Sequence, residues 1–472
     1  MKALSREEVG AIYDQGREAV IGLFMQLQGR IEELERQQRQ NSQNSSKPPS
    51  SDGYRKPEPK SLRRKSGRRS GGQKGHAGTT LEMAAEPDHV VDYWPERCRG
   101  CGSGLKQTAA VGYEARQVHD IPPIAIEVTE HRGMKVCCEK CQAINQGTFP
   151  EGVKPGVQYG NGVMAFGIYA HVYQLLPLER TSEFARDVLG CQPSEGTWVN
   201  KIIACAEQVA PSVEQIKKAI RAAPVMYVDE TGMRVMKTLH WLHTMSTEQL
   251  TYYAVDAKRG REAQDRIGVL PGFAGVMMHD KLPSYDLTVG THALCGAHLL
   301  RELTALKQDT RQRWPARLTP LLIQIKTAVA DARALGQTEL SQKTVSAFEA
   351  DYDRLTRRAL HANPRPRHEP HQRGRPKSTP ARNLTQRLRD HKDCILRFMH
   401  DFRVAFDNNL AERDLRMMKV KQKISGCFRS KAGAERFALI RSYVSTARKQ
   451  GFRAFDAIRA ACDGKPVKLR LA

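Results

Sequence analysis

The sequence contains no uninterrupted apolar run of about eighteen residues, so no segment reads as a membrane-spanning helix. The nearest stretch, residues 163–178, is broken by His171 and Gln174 and reads as a buried helix. No basic stretch leads into an apolar one at the start, so no secretory signal is expected, and the cytoplasm is the expected location. The 11 cysteines do not suggest a disulfide framework in a long chain of this kind. Acidic residues are in deficit: 51 Asp and Glu against 75 Lys and Arg leave a formal charge of +24. That surplus favours a polyanionic partner, nucleic acid ahead of an anionic membrane. A hydrophobic content of 40% is enough for real cores, and 472 residues exceed one compact domain, with about three expected.

Residues 1–39 read as an amphipathic helix. Val20, Phe24, Leu27, Ile31 and Leu34 alternate steps of four and three, the seam of a short coiled coil or of a helix docking on its own chain. Residues 40–87 form a Pro-, Ser- and Gly-rich linker that cannot build a core. Within it Arg63, Arg64, Lys65, Arg68 and Arg69 make a cationic arm suited to tracking phosphates or entering a minor groove. Residues 88–150 read as a small β-rich unit around CRGC (Cys98, Cys101) and CEKC (Cys138, Cys141). Four thiolates would close a tetrahedral site suited to structural Zn2+, although Cys137 leaves open which thiols bind. Residues 151–223 read as helical. TSEFARDVLGCQPSEGTWVNKII has the form of a helix-turn-helix, with Ser194 as N-cap and Thr197, Asn200 and Lys201 available to DNA, or of an ordinary helical hairpin.

From residue 224 the period changes. VMYVDETGMRV, TLHWLHTMST and TYYAVDA read as three strands joined at 232–237 and 247–250. A helix over 261–270 and a strand GVMMHD follow. Strand, strand, strand, helix, strand is the order of a ribonuclease-H-like core. The expected fold is therefore α/β and multidomain. Its core is split into 224–301 and 401–472 by a helical insertion at 302–400. In that insertion RGRPK (373–377) is like an AT-hook core but reads more simply as a solvated loop.

Three carboxylates stand out. Asp229 follows VMYV and Asp280 ends GVMMHD, each expected at a strand end. Glu412 lies on a helix with Arg416 and Lys419 at i+4 and i+7, one stripe of a carboxylate and two cations. Three oxygen ligands with open positions suit two Mg2+ (or Mn2+) ions acting on a phosphodiester. Plainer readings exist: turn chemistry at Asp229, a cap at Asp280, and a capping box between Asn409 and Glu412. Asp407 reads as helix entry, and Asp414 points about 200° away from Glu412. In HALCGAHLLREL, His292, Cys295 and His298, or Cys295 with His298 alone, could suggest a second zinc, but no fourth ligand is evident and they read as one helix face packed beside the site, with Arg301 placed to contact phosphate or brace a carboxylate.

NSSKPPSSD, GGQKGHAG, the cysteine pairs, VDET, HD at 279–280, HALCGAHLLREL and FDNNLAERDLRMMK together resemble the transposases of insertion-sequence family 66, bacterial DDE recombinases. The resemblance implies a zinc-binding unit, a helical DNA-binding region, and a catalytic core with a helical insertion before its last acid. It makes Asp229, Asp280 and Glu412 the catalytic triad, with Lys419 near the cut. It implies magnesium-dependent cleavage at the element's ends and strand transfer of the 3′-hydroxyls into target DNA. It further implies assembly as at least a dimer on DNA, with accessory proteins of the element. Lys281 stands where the family often has Gly. Two alternatives stay open: a catalytically silent DNA-binding relative, and a ribonuclease-H-like nuclease without strand transfer.

Overall fold

The computed structural model describes residues 5–41, 44–45, 81–106, 108–122, 124–154, 156–288, 290–366, 376 and 378–471. The cationic arm of Arg63, Arg64, Lys65, Arg68 and Arg69 lies outside the described residues, as does nearly all of RGRPK.

The first segment is two helices rather than one, α1 (Arg6–Asp14) and α2 (Arg17–Arg39). Ser5 and Glu8 close a capping box at α1, and Gly16, at φ 97°, takes the left-handed turn that breaks the run. Phe24, Leu27, Ile31 and Leu34 of the predicted seam are all exposed on α2.

The segment expected to be β-rich is mostly irregular. It holds one hairpin of three-residue strands, β1 (Lys135–Cys137) and β2 (Ile144–Gln146), paired from Lys135↔Gln146 to Cys137↔Ile144. No described residue of 81–154 is buried.

A dense assembly begins at α3 (Asn161–Ile168), which runs into a π turn at Tyr169–Tyr173. Then come α4 (Leu178–Leu189), which Gly190 ends in a left-handed conformation, and the long α5 (Glu195–Ala222), capped by Ser194. The chain turns directly into β3 (Val225–Val235), β4 (Thr238–Ser246) and β5 (Thr251–Asp256). Met236 and Lys237, at φ 49° and 67°, form the two-residue turn between β3 and β4. Gly232 to Val235, expected in that connection, belong to the strand. After α6 (Arg261–Ile267) come β6 (Val276–His279) and β7 (Thr291–Leu294). β7 corrects the expectation of helix from residue 292: four residues are too few to reveal a period of two.

The five strands form one sheet in the order β5-β4-β3-β6-β7. The β3–β4 and β4–β5 pairs are antiparallel; β3–β6 and β6–β7 are parallel. Helices cover both faces, and β3 alternates between them as the pleat requires. Val225 and Tyr227 pack with the helices that follow β7: α7 (Gly296–Asp309), α8 (Trp314–Ala334), α9 (Gln342–Ala362), α10 (Pro380–Asp390) and α11 (Lys392–His400). Met226 and Val228 pack with Ile216 and Ile220 of α5 and Ile267 of α6.

Three helices complete the assembly: α12 (Asn409–Ile424), α13 (Lys431–Lys449) and α14 (Ala454–Cys462). Ile168, Val209 and Val213 share a core with Met233, Leu242, Leu415 and Tyr443, so the helical region before the sheet packs together with the sheet and the last helices. The outer edge of β5 is closed by hydroxyls of α13. Thr251 N donates to Thr446 Oγ1 (3.0 Å), Tyr253 N to Ser442 Oγ (2.9 Å), and Thr446 Oγ1 to Thr251 O (3.2 Å).

Candidate active site and cysteine turns

Asp229 lies in the middle of β3, not at its end, opposite Thr244 of β4. On its other side the parallel ladder with β6 stops at Tyr227↔Met278. Carrying the register two residues further sets Asp229 against Asp280, which follows the last residue of β6. The opening lies where β3 continues and its parallel partner leaves.

Asp280 sits on a rigid corner. Its Oδ1 accepts from Leu282 N (3.2 Å), and Lys281 turns the chain at φ 74°. Lys281 N donates to His279 Nδ1 (3.2 Å), which leaves the proton on Nε2 to be donated to His292 Nδ1 (3.0 Å). His292 Nε2 then donates to Thr288 O (3.4 Å). Burial first, then His292 and Lys281, lower the His279 pKa to about 3, so His279 stays neutral. Lys281 Nζ pairs with Asp286.

Glu412 is brought in from far along the chain. Asn408, only 1% exposed, is the N-cap residue of α12, yet its side chain makes no cap. Its Nδ2 donates to Val228 O (2.8 Å), beside Asp229, and its N donates to Cys295 Sγ (3.2 Å). The capping-box reading of Asn409 with Glu412 is thereby replaced: α12 is fastened to β3 and to the start of α7. Gly296 N also donates to Phe406 O (2.8 Å), and a Cβ on Gly296 would lie 2.4 Å from the Phe406 ring.

One turn into α12, Glu412 Oε1 lies 3.8 Å from His298 Nδ1, and Oε2 lies 4.0 Å from the Arg301 guanidinium. Arg301 also approaches His298 Nε2 at 3.3 Å. Both Glu412 Oε1 and His298 Nδ1 are buried without a hydrogen-bond partner.

The carboxylates feel one another. Burial, then the charges of Glu230 and Asp280 and finally of Glu412, hold the Asp229 pKa well above the usual carboxylate range. Glu230 is a buried strand residue, so the turn reading of Asp229 and its neighbours gives way to a strand. Glu230 accepts from Tyr285 Oη (2.5 Å) and Arg259 Nε (2.8 Å), and Arg259 in turn lies over the Trp241 ring at 4.8 Å. Burial, then Asp280, raises the Glu230 pKa, against the opposing effects of Tyr285 and Arg259.

Arg416 and Lys419 are exposed on α12, with Leu415 and Met418 buried behind them. Asp414 is structural: it accepts from Ser246 (2.6 Å) and Thr251 (3.1 Å) and pairs with Lys449 (2.8 Å). Asp407 accepts from Asn409 N (3.2 Å) at the helix entry. The predicted single helical face of His292, Cys295 and His298 does not exist. His292 is on β7, Cys295 is the N-cap of α7, and His298 is on α7. Among the described residues, one group of three His, Cys, Asp or Glu ligand atoms lies within 4.8 Å of one another, that of Cys295, His298 and Glu412. Asp229 and Asp280 stand outside it. The signals for this grouping were the C-x-x-H spacing and the return of the chain at Glu412; neither alone announces the other.

The cysteine pairs sit on matching turns. Cys98 N donates to Ser103 O (2.8 Å) and Gly102 N to Cys98 O (2.9 Å). Cys138 N donates to Ala143 O (2.8 Å) and Gln142 N to Cys138 O (2.8 Å). Gly102 (φ 77°) and Gln142 (φ 57°) take the left-handed conformation at the same place in each. The Ser103 hydroxyl lowers the Cys101 pKa to about 7. Cys137 bonds instead to Gln142 O (3.4 Å). The structure does not draw the two pairs into one four-sulfur group within 4.8 Å among the described residues.

Residues 156–436 match the family described as Transposase IS66 family, more than half of the chain, and the protein belongs to that family. Membership makes it a DNA-binding, DNA-processing enzyme of transposition-related recombination and implies the use of divalent metal. Residues 3–82 match a family of unknown function (DUF6444). The chain is also similar to Uncharacterized protein y4hP of Sinorhizobium fredii (strain NBRC 101917 / NGR234). The two are 23% identical over 402 residues, 77% of this chain and 69% of that one. No described helix is long and apolar enough to cross a membrane.

Proposed function

We propose that the protein is a DDE transposase that cleaves at the ends of an insertion sequence by hydrolysis and joins the freed 3′-hydroxyls to target DNA by in-line transesterification. The observation that carries this reading is the register that sets Asp229 against Asp280, with Asn408 holding the start of the Glu412 helix to Val228. The sheet order, three antiparallel strands extended by two parallel ones, supports a ribonuclease-H-like core, with α7 to α11 as the insertion before the last acid.

The donor set fits a pair of hard cations. Asp229 is an acid forced towards its neutral form by burial and then by neighbouring carboxylates, and Glu412 keeps an unpartnered buried oxygen. Magnesium or manganese held by Asp229, Asp280 and Glu412 would activate the attacking oxygen and stabilise the leaving one. Asn408 and the His279–His292 relay position the acids. Arg416 and Lys419 hold backbone phosphate on the exposed side of α12, and Arg301 braces Glu412 and faces the same phosphates. The basic arm adds sequence-independent attraction to DNA.

The matching turns of Cys98/Cys101 and Cys138/Cys141 support a zinc-binding unit in which the pairs close on Zn2+. The exposed seam of α2 supports a coiled coil between two copies, so that the enzyme works in the cytoplasm as at least a dimer, with accessory proteins of the element. The test is Asp280→Asn with labelled element ends: full cleavage in magnesium would refute the assignment. A pre-cut end supplied with target DNA separates a transposase, which yields joined products, from a nuclease or a silent binder, which do not.

A further inference from the structure

We propose that Cys295, His298 and Glu412 form a site for a thiophilic divalent cation, best filled by zinc, which shares Glu412 with the acid triad and so restrains the enzyme when occupied. The competitive part rests on the reading of Glu412 given above; the binding part does not.

The three ligand atoms already lie within 4.8 Å of one another. A tetrahedral zinc ion places neighbouring nitrogen and oxygen ligands about 3.4 Å apart. His298 Nδ1 and Glu412 Oε1 stand at 3.8 Å and are both buried without a hydrogen-bond partner. Two buried polar atoms that face each other beyond hydrogen-bond distance leave room for a cation between them. Sulfur, nitrogen and one oxygen make a softer set than the all-oxygen triad, which is why zinc is preferred here over magnesium.

Two of the three ligands sit at helix N-termini. Cys295 is the N-cap of α7, and its sulfur accepts from the N–H groups of Asn408 and His298. Glu412 sits in the first turn of α12. Two helix N-termini therefore meet at the site, and their N–H groups oppose the burial that raises the Cys295 thiol pKa. A cavity of about 20 Å3 bounded by Asp280, Cys295 and His298 adjoins the group, room for one water as fourth ligand.

Arg301 is the stand-in for the cation. Its guanidinium, partly exposed, lies 3.3 Å from His298 Nε2 and 4.0 Å from Glu412 Oε2. As a donor it holds the proton of neutral His298 on Nδ1. Zinc binding at Nδ1 moves that proton to Nε2, releases the Cys295 thiol proton to solvent, and turns Arg301 outward.

The full-length protein is dialysed against buffered zinc, and zinc per chain is measured for the wild type, Cys295→Ser and His298→Gln. Each variant is expected to hold about one zinc fewer than the wild type, while the cysteine turns at Cys98 and Cys138 fill in all three. Equal zinc content in all three proteins overturns the proposal. A variant that loses the cysteine-turn zinc as well is judged by the other substitution, whose unchanged count would overturn the proposal equally. Micromolar zinc is then added to the magnesium reaction. The wild type is expected to slow by on the order of tenfold and Cys295→Ser, relative to its own zinc-free rate, by little. Equal slowing of both overturns the competition. An enzyme without magnesium-dependent cleavage fails the functional reading and leaves the zinc count to decide the site.

Discussion

The region around the sheet and the region of the cysteine turns are held together by different forces. From Met164 onward the chain buries whole apolar side chains, with Met226, Leu242, Ile325 and Tyr443 fully enclosed. Between residues 81 and 154 no described residue is buried, and order rests on two short turns and a hairpin. Burial of apolar area stabilises the first at about 25 cal/mol per Å2. The second has no such source, and the zinc proposed for its cysteine turns would supply one. The sheet can therefore hold mutually repelling carboxylates at its opening, because packing elsewhere offsets their repulsion.

The sharpest way to separate the regions is through chemistry. Asp280→Asn should lower the cleavage rate by at least about a thousandfold, some 4 kcal/mol of barrier, while leaving the fold and DNA binding intact. A gel assay of end cleavage, with circular dichroism alongside, reads both. Next is Cys98→Ser, or removal of zinc by a chelator. Limited proteolysis should then cut within 88–150, while the Tm of the sheet region stays unchanged; a matching fall in that Tm would break the comparison.

Gly296→Ala probes the packed side. Its Cβ would press on the Phe406 ring, and the expected loss is about 1–3 kcal/mol in a denaturant titration. Because Phe406 leads into the Glu412 helix, cleavage should fall as well.

Asp229 gives a pH test. Its folded pKa is raised, so below the ordinary Asp value of about 3.9 the group is protonated in both states and contributes nothing. Above that value the unfolded chain ionises first, and the metal-free protein loses stability as pH rises towards the folded pKa. Asp229→Asn should flatten this decline and raise the metal-free Tm at neutral pH by roughly a few degrees. A Tm that is unchanged, or lower, would mean that the carboxylates do not strain the fold. The smallest effect belongs to Lys419→Ala: weaker binding to all DNA sequences alike, and a slope of log affinity against log salt reduced by about one.

The sequence carried much of this. The strands β3, β4 and β5 were legible because each is a short run rich in β-branched, Met and aromatic residues, and β6 because it is an apolar run ending in a charge. β7 was not, since THAL is too short for any period. Missing it also made His292, Cys295 and His298 look like one helical face. Asp229, Asp280 and Glu412 were identifiable as acids in context, but not the opening between β3 and β6, which depends on where a parallel ladder stops. Glu230 was unreadable for a different reason. An acid after Asp229 looks solvated until Tyr285, 55 residues on, and Arg259, 29 on, close over it. Likewise the Asn408 contact to Val228 spans 180 residues and has no local signature.

The hydroxyls of Ser442 and Thr446 on the edge of β5 set a problem of timing. They are made 189 to 195 residues after the strand they cover. At ordinary rates of synthesis the ribosome takes on the order of ten seconds or more to deliver them. Throughout that interval β5 presents unsatisfied N–H and C=O groups to any passing strand, including the same strand on the next nascent chain of a polysome. A message truncated before α13 should yield insoluble protein rather than a smaller enzyme.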